Sequence, residues 1–404
     1  MSFWRNLPSP IVGLAPMDGV TDAAFRWMVA REGKPDVVFT EFTNVNDVCR
    51  GPDRLMASLI YSEVERPVVA QLYGKDPDLF YVAAQVVCEL GFDGLDINMG
   101  CPSKSVASSG SGAGLIRTPV LAHEIMQAAR QGIHDWAAGR PLEANVAVGA
   151  NGLKTARLDL VRTMNRMREG NGQNGEPQPR RAIPLSVKTR LGYDSVTVES
   201  WVAHLLEAQP SVISVHGRTL QQMYRGEADW SAIARAAEVV KGTDTLLLGN
   251  GDVRSLEEAM RRVRETGVHG VLVGRGTLGH PWFFRRLAEA RALAAGAALQ
   301  QDTGTVAVTR DDRFRIMLDH ARQFEAVAGV DRFPRMRKHL GWYCKGFPGA
   351  AAMRAQMVRV NSSADVERLV ADYLTAASDA DRAEWSPADR ALEAAPLPPS
   401  LSCA

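Results

Sequence analysis

The chain has 404 residues, of which 46% are hydrophobic and 23% charged, with a formal net charge of +1. This balance is ordinary for a globular protein; it excludes a low-complexity or disordered chain, and no global charge demands a polyanion. Five cysteines, at positions 49, 88, 101, 344 and 403, are odd in number and scattered, which argues for a reducing compartment and against a disulfide framework.

Short apolar runs recur between residues 10 and 280, and each ends in a polar or Gly-rich cluster. They begin at Ile11, Val37, Val68, Gly94, Leu185, Val212, Thr245 and Gly270. Continuous β-branched runs of this kind predict strands buried on both faces, hence a parallel sheet. Helical patterns over 21–31, 77–90, 200–208 and 255–266 alternate with them and complete βα units. With strand ends at 15, 40, 71, 98, 188, 216, 250 and 274, six of the seven gaps are 24 to 34 residues and one is 90. Eight such units predict an α/β fold, a (β/α)8 TIM barrel over residues 1–300, in preference to a doubly wound sheet of fewer units. The long gap is read as an insertion around 135–183. It holds one more helix near 153–168 and a turn-rich loop at 170–181, with an extra strand at 144–148 as the alternative.

In a barrel the functional face lies at the carboxyl ends of the strands. Those ends carry Pro16, Glu41, Gln71, Asn98, Lys188, His216, Asn250 and Gly274. The last two strands run into Gly249-Asn-Gly-Asp252 and Gly274-Arg-Gly276, where backbone N–H groups and Arg275 would receive a phosphate. Gln71, Lys188 and His216 suit a flat redox-active ring, the Lys stabilising its anionic reduced form. Cys101 follows a short strand and precedes the Gly-rich run 108–114. A thiol of reference pKa about 8.5 is protonated at neutral pH and can act as a general acid, although free Cys is also a common core residue.

After a polar break at 301–305, helical patterns resume at 311–328, 335–343 and 350–360. Residues 310–361 carry eleven Lys/Arg against five Asp/Glu. The cluster from Arg332 to Lys345 mixes charge with aromatics, which reads either as a phosphate- and base-binding surface or as a solvated helix face over a core. A smaller C-terminal all-α helical domain is therefore expected over 308–378, followed by a disordered Ala/Pro/Ser tail at 379–404.

Taken together, these segments resemble the tRNA-dihydrouridine synthases. The resemblance runs through Leu14-Ala-Pro-Met-Asp-Gly-Val-Thr-Asp22, Gln71-Leu-Tyr-Gly74, the Asn-Met-Gly-Cys-Pro core of 94–106 and Ser186-Val-Lys-Thr-Arg-Leu-Gly192. It continues through Val215-His-Gly-Arg-Thr219, Tyr224-Arg-Gly-Glu-Ala-Asp-Trp230 and the two Gly-rich strand ends. It implies an FMN-dependent enzyme, with NADPH as electron donor, that reduces the C5–C6 double bond of particular uridines in tRNA. Cys101 falls on the proton donor. Pro16, Met17, Asp18, Gln71, Lys188 and His216 fall on flavin contacts, and Asn250, Gly251, Asp252, Gly274 and Arg275 on the ribityl-phosphate positions. Asn98, Arg190 and Arg218 match RNA-touching positions, and the basic residues Arg335, Arg337 and Lys338 belong to a tRNA-binding helical domain. Roughly 45 residues of the fourth gap exceed an ordinary βα unit. An FMN barrel that reduces a small-molecule C=C bond is the alternative, and a non-catalytic RNA-binding module a third reading. No apolar run approaches the ~18 residues of a membrane span and no secretory signal is visible. No metal-ligand spacing appears either, so a cytoplasmic monomer without membrane or metal is expected.

Overall fold

The computed structural model describes residues 2–146, 152–170, 180–296 and 308–376. Among the described residues nine strands, all parallel, form one sheet: β1 Ile11–Leu14, β2 Val38–Phe39, β3 Thr43–Asn44, β4 Val68–Tyr73, β5 Gly94–Met99, β6 Leu185–Arg190, β7 Val212–His216, β8 Leu246–Asn250 and β9 Gly270–Val273. The sheet closes because β1 pairs with both β9 and β2, and β2 pairs with β4. This is the TIM barrel expected, with one addition. β2 and β3 are two pieces of a single stave: Val38 and Phe39 stand opposite Val68 and Val69, whereas Thr43 and Asn44 stand opposite Leu72 and Tyr73. Between these pairings three residues, 40–42, face two, 70 and 71, a bulge-like offset. It is held by Thr40, whose N–H donates to the Val69 carbonyl at 3.0 Å and whose hydroxyl accepts from the Gln71 N–H at 2.9 Å. The offset places Glu41 at the barrel mouth.

Strand residues alternate between the two faces. Val12, Leu14, Val68, Ala70, Leu72, Leu95, Ile97, Val187 and Val215 pack with the surrounding helices. The opposite parity is apolar only at the base, where Ile11, Phe39, Val69, Val212, Leu248 and Leu272 gather around Trp4 of the N-terminal turn. Higher up, that inward parity supplies Gln71, Asp96, Asn98, Ser186, Lys188, Ser214, His216 and Asn250. The runs read as uniformly apolar thus conceal a polar column lining the mouth.

The helix Pro119–Ala137 follows the Cys101 region, and a further helix spans Thr155–Gly170 in the long gap. The latter rests on the outer layer: Leu158 and Val161 are buried, and Arg157 donates to the Gly51 and Asp47 carbonyls at 2.5 and 3.2 Å. Ala144 and Asn145 lie in a 3-10 turn at Leu142–Asn145 and Val146 is in no strand, so the described part of the alternative strand at 144–148 is not one; residues 147 and 148 lie outside the described residues, as does most of the turn-rich loop.

Helices Arg310–Ala328, Arg337–Tyr343, Ala350–Met357 and Ser363–Ala376 surround a second apolar cluster. That cluster also takes in Ala24 and Met28 from the first barrel helix, Ala23–Glu32, and Trp282. Phe333, Trp342 and Tyr343 are buried in the cores, so the aromatics of the basic segment do not form a base-stacking surface. Residues 377–404, including the expected disordered tail, lie outside the described residues.

Candidate active site

The mouth is electrostatically divided. Along β6 to β9 lie Lys188, Arg190, His216, Arg218 and Arg275. Burial lowers the Lys188 ammonium to about 8; the neighbouring Arg190 charge adds to this, while Asp96 and Cys101 oppose it. Burial and then the charges of Arg190, Lys188, Arg218 and Arg275 hold His216 well below its usual range, so its imidazole is neutral. Two atoms in this row, His216 Nδ1 and Arg218 Nη1, are buried without a hydrogen-bond partner among the described residues. Buried polar atoms left unpaired cost free energy, and here they sit among like charges, a setting that suits an anionic, hydrogen-bonding ligand.

The two Gly-rich ends complete this side. Gly251 has φ +135°, and a Cβ there would meet Ala228 Cβ at 2.6 Å; Trp230 Nε1–H donates to its carbonyl at 3.1 Å. At Gly274 a Cβ would lie 3.3 Å from Met17 Sδ. Asp252 accepts from Arg218 and Arg275, each at 2.6 Å, and from the Ala228 N–H at 2.8 Å. Its carboxylate therefore orients the arginines rather than meeting a phosphate, which like charge would forbid. Asn250 donates to the Leu272 carbonyl at 2.8 Å and ties β8 to β9. Tyr224 lies between two guanidinium groups, 5.7 Å from Arg190 and 5.8 Å from Arg275.

Arg190 is 3% exposed and donates to the carbonyls of Gly100, Thr219 and Met223 at 2.7, 3.0 and 2.9 Å. Arg218, 1% exposed, donates to Asp252 and to the carbonyls of Arg225 and Gly226. Both act as struts for the loops around the mouth.

Cys101 begins the loop after β5 and is 8% exposed. Asn98 Oδ1 accepts from the N–H groups of Gly100 at 3.0 Å and Cys101 at 2.8 Å. Asn98 Nδ2 donates to Gln71 Oε1 at 2.9 Å, and Gln71 Nε2 donates to Asp96 at 2.7 Å. The Gly-rich run folds back over the loop: Ala113 N–H donates to the Cys101 carbonyl, and at Gly112, with φ +56°, a Cβ would lie 3.2 Å from Cys101 Cβ. Lys188 and Arg190 are close enough for the Cys101 charge to act on them.

Across the mouth the charge is acidic. Burial raises the Glu41 carboxyl to about 7, with Asp22 and Asp18 adding to the shift. Burial also raises Asp18, against the charge of Lys338. Lys338 reaches over from the helical domain and donates to the Gly19 carbonyl, in the turn that follows Pro16, Met17 and Asp18. Arg337 is turned to its own domain, donating to the Val360 carbonyl at 2.9 Å and to Asn361 at 2.7 Å, while Arg335 is exposed. Sequence reasoning passed over Asp96 and Ser186, whose only signal is shared parity with Asn98 and Lys188; Glu41 was noted as a strand end and no more. Away from the mouth, His123, His204 and Glu207 bring ligand atoms within 4.8 Å of one another on the outer helices. No helix among the described residues is long and apolar enough to cross a membrane.

Among solved structures, a dihydroorotate dehydrogenase from Eimeria tenella, in complex with ferulenol, aligns with TM-score 0.46 and 15% identity over 70% of this chain and 81% of that one. A probable tRNA-dihydrouridine synthase 2 of Bacillus subtilis (strain 168) is 32% identical over 379 residues, covering 92% of this chain and 96% of the relative. A probable tRNA-dihydrouridine synthase of Staphylococcus aureus (strain COL) is 30% identical over 381 residues, covering 92% and 95%. Residues 13–167 and 178–378 match the dihydrouridine synthase family, spanning the barrel and the helices after it, and the chain belongs to that family.

Proposed function

We propose that this protein is a tRNA-dihydrouridine synthase that binds FMN, takes electrons from NADPH and reduces the C5–C6 bond of uridines in tRNA. The observation that carries the reading is the row Lys188, Arg190, His216, Arg218 and Arg275, with its two unpaired buried nitrogens, beside a Cys101 held by its own backbone N–H. FMN, when bound, would supply hydride chemistry.

The chain's own residues do the rest. Gly251 and Gly274 leave backbone room for the phosphate, and Arg275, oriented by Asp252, neutralises it. Gln71, His216, Pro16, Met17 and Asp18 would hold the flavin ring, and Lys188 would offer it a positive charge. Cys101 gives its thiol proton to C5; the thiolate left behind is stabilised by the charges of Lys188 and Arg190 and is reprotonated from solvent. Arg335, exposed on the helical domain, would contact the phosphates of the tRNA.

The decisive experiment incubates the purified protein with NADPH and tRNA from a strain lacking dihydrouridine, then digests the RNA and measures nucleosides by mass spectrometry. New dihydrouridine with a flavin absorbance spectrum is expected. A colourless protein without product, or one that turns over only free pyrimidines, rejects the reading.

A further inference from the structure

Asp96 is fully buried on β5, deep in the polar column, and has no hydrogen bond to the loop of Cys101, yet an unbroken line of hydrogen bonds joins the two. Ser186 Oγ–H donates to Asp96 Oδ1 at 2.6 Å, and Gln71 Nε2–H donates to Asp96 Oδ2 at 2.7 Å. Gln71 Oε1 accepts from Asn98 Nδ2 at 2.9 Å, and Asn98 Oδ1 accepts from the Gly100 and Cys101 N–H groups. We propose that Asp96 is a positioning residue for Cys101: its carboxylate sets the direction of the Gln71 and Asn98 amides and so closes the clamp on the thiol-bearing loop.

The argument is one of donors and acceptors. A side-chain amide can turn end for end, exchanging its C=O and NH2. An ionised carboxylate only accepts, so it compels Gln71 to point its NH2 inward and its oxygen at Asn98. Asn98 must then offer NH2 to Gln71 and oxygen to the two backbone N–H groups. Each link has one orientation. Protonated, Asp96 could donate, and the Gln71 amide would be free to turn. Burial raises the Asp96 carboxyl to about 6, but the Ser186 and Gln71 bonds and the Lys188 charge oppose this, leaving it ionised at neutral pH. The same logic fixes what the relay leaves over: the second N–H of Gln71 and of Asn98. The floor of the site therefore offers donors, beside the Lys188 ammonium, and matches the carbonyl-bearing edge of a heterocycle rather than an amino-bearing one.

The consequence for proton transfer rests on the role of Cys101 proposed above. The test does not, because it needs neither flavin, RNA nor reductant. Three full-length variants are compared with the parent: Asp96→Asn, Asn98→Asp and the double variant. Alkylation of Cys101 by iodoacetamide is timed and located by peptide mass spectrometry, and Tm is recorded. Asn98→Asp opposes two like groups within the relay, and its Cys101 alkylation is expected to rise about tenfold, the scale of one lost buried hydrogen bond; Asp96→Asn leaves an amide that can turn between Ser186 and Gln71, so the relay loses its fixed direction and a smaller rise is expected. In the double variant the polarity is reversed throughout. The amide at position 96 donates to Gln71 Oε1, the turned Gln71 donates to the carboxylate at 98, and that carboxylate still accepts from both N–H groups. Alkylation should return to within about twofold of the parent, a non-additivity typical of residues in one network. A folded Asn98→Asp variant with unchanged alkylation would overturn the proposal, and so would a double variant as reactive as Asn98→Asp. Should Asp96→Asn fail to fold, the double variant decides alone: parental Tm and alkylation support the relay, and an unfolded protein rejects it.

Discussion

Lys338 donates its ammonium hydrogen to the carbonyl of Gly19, joining the helical domain to the turn that leaves the first barrel strand. The same turn's Gly19 N–H bonds to the carboxylates of Asp18 and Glu41, so one residue ties a basic helix to the acidic side of the mouth. Lys338→Met is therefore expected to weaken FMN binding about three- to tenfold, as loss of one charge-assisted hydrogen bond would. Its effect on tRNA binding should be indirect. Titration of the flavin by fluorescence quenching measures the first effect. A tRNA affinity series in salt measures the second, because a lost phosphate contact would reduce the salt slope by about one, whereas this variant should leave the slope unchanged.

Replacing Cys101 by Ala removes the proposed proton donor, while the clamp from Asn98 still holds the backbone. Flavin and tRNA affinities should stay within about twofold while product formation falls about 10²–10⁴-fold, the range general acids contribute. Single-turnover dihydrouridine formation measures it, and a rate within tenfold of the parent would reassign the thiol.

The Lys188 ammonium, lowered to about 8 chiefly by burial, loses its proton as pH rises through that value in the free protein. An anion bound beside it favours the charged form and raises its pKa. Binding of FMN should then take up protons between roughly pH 8 and 10 and weaken as pH climbs through that window. Calorimetry in buffers of different ionisation enthalpy reads the uptake directly, and Lys188→Met should abolish it.

Glu41 shifts in the other direction. Burial, with Asp22 and Asp18 nearby, raises it from 4.5 to about 7, so the native protein binds more protons than the unfolded chain between those values. Stability contributed by the neutral carboxyl is present at low pH and lost as pH rises through 7. Glu41→Gln should leave stability at pH 4 nearly unchanged and raise it at pH 8 by about 1–2 kcal/mol after allowance for partial exposure. Thermal melts at the two pH values check it; a Tm equally shifted at both would mean that packing, and not charge, governs the position.

The strands were legible because their outward residues are β-branched and pack against helices; Val12, Ile97 and Val187 announce themselves in any window. The polar column was legible only where it reached a strand end. Asn98 and Lys188 were visible there, whereas Asp96 and Ser186, one inward step deeper, were absorbed into runs that looked uniformly apolar. The offset that puts Glu41 in the mouth depends on Thr40 meeting Val69 and Gln71, a tertiary arrangement with no local pattern. Arg337 and Lys338 illustrate the same limit: a basic run in sequence says that charge is present, but their partners, Val360 and Gly19, are set by the fold. Of the two readings left open for the basic aromatic cluster, its aromatics follow the second, because Phe333, Trp342 and Tyr343 are needed to build a core.

Ala24, Met28 and Trp282 belong by chain position to the barrel but are buried with Phe314, Met317 and Leu340 of the later helices. Cutting the chain near residue 300 would strip one wall from that shared interior and leave a greasy scar on the first barrel helix, where soluble proteins seldom tolerate one. The helical domain is thus no detachable cassette. Chimaeras that exchange it between relatives must carry the complementary face of helix Ala23–Glu32 with it, or the hybrid will precipitate before its choice of uridine can be read.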